Sequence, residues 1–287
     1  VEYKISDENL SLEKLSALIH GNAKITLGVS ERRKVKVCRD WLNQKIASGD
    51  EAFYGINTGF GALCNIVIPD EKLRALQENL LRSHACGTGD EVPSEIVSLM
   101  MLFKVKAFSA GHSGASEEVV DRLIHFFNEG ITPVVYQQGS LGASGDLAPL
   151  AHLSLPLIGE GEVRVKGEKM AASALGLPAI QLQSKEGLAL INGTQFMSAY
   201  GVHSLLRGRH LLETAELLAA LSLEALDGRT EPFFEGIHRL RGHVGQEITA
   251  ARIRQYLEGS DVNTREKAHV QDPYSIRCVP QVHGASR

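Results

Sequence analysis

From Thr194 to Leu226 the chain runs without a proline and is dense in leucine: Leu205, Leu206, Leu211, Leu212, Leu217, Leu218 and Leu221. A stretch of this kind reads as one long α-helix. Its leucines do not keep to a narrow stripe, so burial on more than one side is expected. Helical patterns continue elsewhere. Leu12, Leu15, Leu18 and Ile19 line one face, with Gly21 as a stop. Ser30 is placed to cap a helix carrying Val35, Cys38, Leu42 and Ile46, with Gly49 beyond it. Leu73, Leu76 and Leu80 repeat the spacing, as do Val119, Leu123 and Phe126 between Ser116 and Gly130. Pro93 suits the first turn of a helix through Met100 and Phe103, and another helix is expected from about Val244 to Leu257. The one strand pair expected is a surface hairpin, residues 162–165 and 168–170, around Lys166-Gly167. Glycine-rich loops fall at 55–61, 87–89, 111–114 and 139–145.

Composition narrows the function. With 43% hydrophobic and 22% charged residues in 287, the chain is of ordinary globular type. A net charge of −4 offers no footprint for nucleic acid. The densest basic cluster, Glu31 to Lys36, reads as a solvated helix face. Apolar runs such as Leu99 to Phe103 are too short to cross a bilayer, so no membrane is expected. Cys38, Cys64, Cys86 and Cys278 lack C-x-x-C spacing, which argues against zinc, and four cysteines in 287 residues do not make a secreted disulfide scaffold. The start, Val-Glu-Tyr-Lys, has no signal core, and a cytoplasmic location is expected. The histidines form no H-E-x-x-H motif; His203 and His210 share a helix face, and no metal site is expected.

Residues 139–150 read Gly-Ser-Leu-Gly-Ala-Ser-Gly-Asp-Leu-Ala-Pro-Leu. A serine-hydrolase elbow is excluded, because Gly142-Ala143-Ser144-Gly145-Asp146 places aspartate where G-x-S-x-G needs glycine. Ala143-Ser144-Gly145 can instead make its own electrophile. In a tight bend the amide nitrogen of Gly145 attacks the carbonyl carbon of Ala143, and loss of water leaves an imidazolone. Loss of a second water from Ser144 adds a conjugated methylene. Glycine leaves the nitrogen unhindered and tolerates strained dihedrals. Serine supplies the departing hydroxyl, and alanine keeps the carbonyl uncrowded.

This motif, continued through Ala151-His152, resembles the signature of the histidine and aromatic amino-acid ammonia-lyases. Further segments resemble the family in order: Tyr54 to Gly61, Asn79 to Gly87, Leu190 to Gln195 and Gln271 to Cys278. The nearer likeness is to the histidine-specific members, and it covers essentially the whole sequence. The resemblance implies a mostly α fold of aspartase-like kind. Residues 1–190 would form an N-terminal helical region with the active-site loops and the small hairpin, and 191–287 the first part of a long-helix bundle. Full-length relatives continue well beyond this length, so the chain is expected to be an N-terminal half with a truncated bundle and doubtful activity alone.

The resemblance also implies the chemistry. The methylidene-imidazolone, formed from Ala143, Ser144 and Gly145 without external cofactor, would take the amino group of a small amino-acid substrate. Tyr54 matches the catalytic tyrosine, the base for the β-proton; a phenol needs nearby positive charge or donors for that task. Tyr274 would assist at the ring or substrate, sharing a helical face with Arg277 unless Pro273 forces a turn. Arg277 matches the ligand of the substrate carboxylate, which its planar fork can hold bidentately. Asn192 and Gln271 match residues that hydrogen-bond the ring or the carboxylate. Ser83-His84 has the form typical of histidine lyases, and His84 would give imidazole a polar partner. The family implies a homotetramer for the full-length enzyme. L-Histidine going to urocanate is the first expectation. A phenylalanine or tyrosine lyase or aminomutase, or a noncatalytic helical fragment, stays open.

Overall fold

The computed structural model describes residues 2–6, 8–21, 23–48, 52–61, 66–141 and 143–287. Gly49 as a helix stop, Cys64, and Gly142 within the motif lie outside the described residues. Contacts divide the chain into two compact units, Val1–His203 and Ser204–Arg287.

The first unit holds helices α1 (Leu12–His20), α2 (Val29–Ala47), α3 (Asp70–His84), α4 (Ser94–Ser109), α5 (Glu117–Asn128), α6 (Leu147–Ser154) and α7 (Glu186–Ile191). Its strands are β1 (Glu2–Ile5), β2 (Lys24–Leu27), β3 (Thr88–Glu91), β4 (Ile131–Pro133), β5 (Tyr136–Gln138), β6 (Glu162–Val165) and β7 (Glu168–Ala171). Helix α8 (Gln195–Ala225) runs through the division of the units. Beyond it come α9 (Glu235–Arg239), α10 (Val244–Tyr256), α11 (Tyr274–Arg277) and α12 (Val279–Ser286). The fold is mostly α, as the helical patterns imply.

Helix α4 is the axis of the first core. Ile96, Val97, Leu99, Met100, Met101, Leu102, Val105 and Phe108 are all buried. A helix apolar on every side must be surrounded, and α1, α2, α5 and β4 pack against it. Each such side chain withdrawn from water stabilises by roughly 1.5–3 kcal/mol. The second unit has a smaller core of Ala220, Leu223, Phe233, Ile253, Leu257 and Val279.

Several expectations need correction. The hairpin is present as β6 and β7, with Glu162 opposite Ala171, but it joins β4 in a three-stranded antiparallel sheet. Strands also form where short segments find a partner: β1 runs parallel to β2, and β3 antiparallel to β5. Thr88 and Gly89, expected in a loop, therefore open a strand. Ser30 does not cap α2; Gly28 occupies that position. The Glu31 carboxylate folds back over it, 2.0 Å from where a Cβ on Gly28 would stand, and takes the hydroxyl hydrogen of Ser30 at 2.8 Å. Glu31 is accordingly buried and not part of a solvated face. Pro93 stands at the N-cap of α4, one residue before the first turn. Helix α8 has nearly the expected bounds, yet Met197, Leu205, Leu211, Leu217, Leu218 and Leu221 are exposed. Leucine spacing reports what a helix can bury, not which neighbour the chain provides.

Candidate active site

The Ala143-Ser144-Gly145 peptide lies in the turn between β5 and α6, with Ala143 and Ser144 exposed and Gly145 half-buried. Gly145 sits at φ +93° and forms a parallel bridge with Gly193. A Cβ on Gly145 would stand 2.2 Å from the Gly193 carbonyl oxygen, so both dihedral and space demand glycine. The lock continues one residue on: the Asp146 N–H donates to the Gly193 carbonyl at 2.9 Å, and the Leu147 N–H to the Gly145 carbonyl at 3.1 Å. The backbone on the C-terminal side of Gly145 is thus held by a second segment, while Ala143 and Ser144 are exposed. These residues fit the self-made ring.

Polar groups brace the loop from within the first unit. Buried Asp146 accepts from the Ser140 hydroxyl at 3.0 Å and from the Met197 N–H at 3.0 Å. The second bond satisfies a backbone donor in the first turn of α8, where negative charge is favoured. Asn192 caps α7, its Nδ2 donating to the Leu188 carbonyl at 3.0 Å. Lys104, 1% exposed, donates from Nζ to the carbonyls of Asn192 at 2.9 Å and Ala189 at 3.2 Å. Burial pushes this ammonium down to about 7, and the negative Asp146 opposes that fall.

Tyr54 stands in a turn closed by Asn57, whose Oδ1 accepts from the Phe53 N–H at 2.7 Å. Tyr54 is 57% exposed, and its ring meets Phe60 edge-on with centroids 6.2 Å apart. Gly55, at φ +69°, lets this turn lie on α7: a Cβ there would be 2.4 Å from Leu188 Cδ2. His84 ends α3. Its Nδ1 is 2.9 Å from the Leu80 carbonyl, which can only accept, so Nδ1 donates there and Nε2 takes no part in that bond. Helices α3 and α7 are tied by buried Gln77, whose Oε1 accepts from the Gly187 N–H at 2.9 Å. Just past His84, the Gly87 N–H donates to His152 Nε2 at 2.9 Å. Burial pushes the His152 imidazole below its ordinary range, which suits an unprotonated Nε2. The turn of Tyr54, α3, α7 and the Ala-Ser-Gly loop therefore meet through direct contacts.

With that geometry established, comparison with known proteins is decisive. A sequence model described as aromatic amino acid lyase matches residues 10–287. The chain belongs to that family. It is 46% identical to a histidine ammonia-lyase of Geobacillus thermodenitrificans over 98% of this chain and 57% of that relative. The chain thus spans little more than half the length of the curated relatives it matches. Among solved structures it is similar to the histidine ammonia-lyase of Trypanosoma cruzi, with TM-score 0.86, 34% identity, and coverage of 100% of this chain and 54% of that one. It is also similar to tyrosine aminomutase from Streptomyces globisporus, with TM-score 0.89, 31% identity, and coverage of 99% and 58%.

The second unit of this lyase-family chain carries Gln271, Tyr274 and Arg277. Residues 274–277 form one helical turn, with Pro273 as its N-cap, so the proline starts the helix instead of preventing it. Gln271 and Arg277 line a common cavity of about 330 Å³ with Arg229, Glu231 and Asp272. Tyr274 is 71% exposed and outside that lining. Asp272, buried between them, accepts from the Arg229 N–H at 2.7 Å and bonds His269 Nε2, which fixes the segment.

Sequence reasoning missed Lys104, Asp146, Gln77 and His152. For Lys104 a signal existed: a lone charge within Met100-Met101-Leu102-Phe103-Lys104-Val105 interrupts an otherwise apolar helix. Asp146 and His152 lie in the signature segment, but their contacts were not legible, and Gln77 carried no signal, because its partner is a backbone group remote in sequence.

Proposed function

We propose that the chain contributes the ring-forming part of a histidine ammonia-lyase, which eliminates ammonia from L-histidine to give urocanate. The observation that carries this reading is the Gly145–Gly193 bridge, which only glycine at 145 permits and which pins the Ala-Ser-Gly turn against a second backbone segment; such pinning favours a cyclising amide. The methylidene-imidazolone would supply the electrophile for the substrate's amine end. Tyr54 would accept the β-proton while the Cα–N electron pair departs with nitrogen and the Cα–Cβ double bond forms. Arg277 would fix the carboxylate through two N–H donors, with Gln271 beside it and Tyr274 assisting at the ring or substrate. Asn192 would hydrogen-bond the ring or carboxylate, and His84 Nε2 would meet the substrate imidazole.

We further assign residues 1–190 to the loop-bearing region and 191–287 to the start of the long-helix bundle. A homotetramer is proposed for the whole enzyme, supported by the exposed leucines of α8. A cytoplasmic location is proposed on the free thiols of Cys38, Cys86 and Cys278. Among the described residues no helix is long and apolar enough to cross a membrane.

A second reading, an aromatic aminomutase or lyase, draws on the likeness to tyrosine aminomutase. Assay of the full-length enzyme with L-histidine, L-tyrosine and L-phenylalanine separates the two. Urocanate absorbance with histidine as the preferred substrate is expected; preference for tyrosine or phenylalanine, or a β-amino acid product, would defeat the assignment.

A further inference from the structure

Lys104 is buried at the heart of α4, and the elimination set out above gives it no task. Stability does not explain it. A fully buried ammonium is costly to desolvate, and a methionine of similar size would pack among these apolar neighbours at no such cost. Its two hydrogen bonds point to another purpose. Both go to the C-terminal end of α7, at the carbonyls of Ala189 and Asn192. The Asn192 carbonyl belongs to the same peptide group as the Gly193 nitrogen. Gly193, in turn, bridges Gly145 and accepts the Asp146 N–H at 2.9 Å. One residue therefore separates the lysine's grip from the Ala-Ser-Gly loop. The loop has a second brace, the Asp146 carboxylate on the start of α8.

We infer that Lys104 is a positioning residue for the Ala143–Gly145 loop, acting through the Asn192–Gly193 peptide that its Nζ holds. By this route a group that never touches substrate keeps Gly145 against Gly193 and its nitrogen aimed at Ala143. The link from positioning to ring formation rests on the lyase reading; the positioning itself does not.

The test is Lys104→Met in the full-length enzyme, with two readouts. Hydrogen exchange should speed up on the order of tenfold or more at 143–147 and 190–197, because two buried hydrogen bonds to the end of α7 are lost. Segments of α5 should exchange as before. Intact mass should show a delayed or incomplete loss of two waters relative to wild type. Lys104→Arg, which keeps donors and charge, should restore much of the loop protection. Lys104→Gln, one atom shorter, should show the same local pattern at smaller amplitude if the methionine variant fails to fold. Unchanged exchange at 143–147 in a folded Met or Gln variant, or loosening spread evenly over the whole unit, would overturn the inference. A wild-type mass without the loss of two waters would instead sink the imidazolone reading, and the exchange data would still decide the lysine's role.

Discussion

At the scale of single residues the sharpest expectation concerns Ser144. In the proposed chemistry its hydroxyl departs to make the methylene, so in the complete enzyme Ser144→Ala should lower turnover by several orders of magnitude while leaving the fold intact. The side chain is exposed, and its loss disturbs no packing. Near-normal activity in that variant would refute the self-made electrophile. His84 governs choice of substrate in this reading. Its Nδ1–H is committed to the Leu80 carbonyl, which leaves Nε2 to meet an imidazole. His84→Phe should raise KM for histidine by roughly tenfold or more, since a half-buried polar partner is lost. Comparable KM values in the two proteins would remove His84 from the specificity argument.

Lys104 makes a prediction in pH. Burial lowers it from 10.5 to about 7 in the folded chain. Below about 7 both folded and unfolded chains hold the proton, and this group adds no pH dependence. Between about 7 and 10.5 the unfolded chain still holds a proton that the folded chain has released, so stability rises with pH. Urea unfolding across that window should show a rise in wild type that is flattened in Lys104→Met. Parallel curves would mean that the lysine keeps its proton when buried. The neutral amine still has two N–H groups for its two carbonyls, so the clamp on α7 survives deprotonation.

Elements, in this chain, are placed by polar contacts between them as much as by their own apolar faces. The start of α8 depends on Asp146, a residue of a different segment, which fills the role that a local cap would otherwise take. Asp146→Ala should cost about 1–3 kcal/mol by leaving the Met197 N–H and the Ser140 hydroxyl without their acceptor. A urea midpoint within experimental error of wild type would contradict that placement. The same contrast divides what could be read from the sequence from what could not. Helices α1, α5, α8 and α10 were legible because their apolar spacing is local, and Ser116 caps α5 as its position suggested. The Ala-Ser-Gly loop was legible because three adjacent residues carry the chemistry. Strands β1 to β5 were not, since each is short and is defined by a partner remote in sequence. Lys104, Gln77 and Asp146 act on backbone groups of other segments, and no spacing rule encodes those meetings.

For the whole molecule, the exposed side of α8 sets the main constraint. Leu211 and Leu218, seven residues apart and thus close to one face, are 66% and 55% exposed. Leu205 and Leu221 add to the apolar surface of the same helix. Isolated exposed leucines are ordinary, but several along one helix form a patch that soluble chains usually cover. Burying each leucine would contribute roughly 1.5–3 kcal/mol before the entropy of association is set against it. The 287-residue chain should therefore self-associate at micromolar concentration, seen as a concentration-dependent sedimentation coefficient. The double variant Leu211→Glu with Leu218→Glu should shift it toward monomer, because neither side chain supports the cores of either unit. Circular dichroism should be unchanged, which separates loss of association from loss of fold. A wild-type chain that sediments as a monomer throughout that range would show that this face of α8 does not drive assembly.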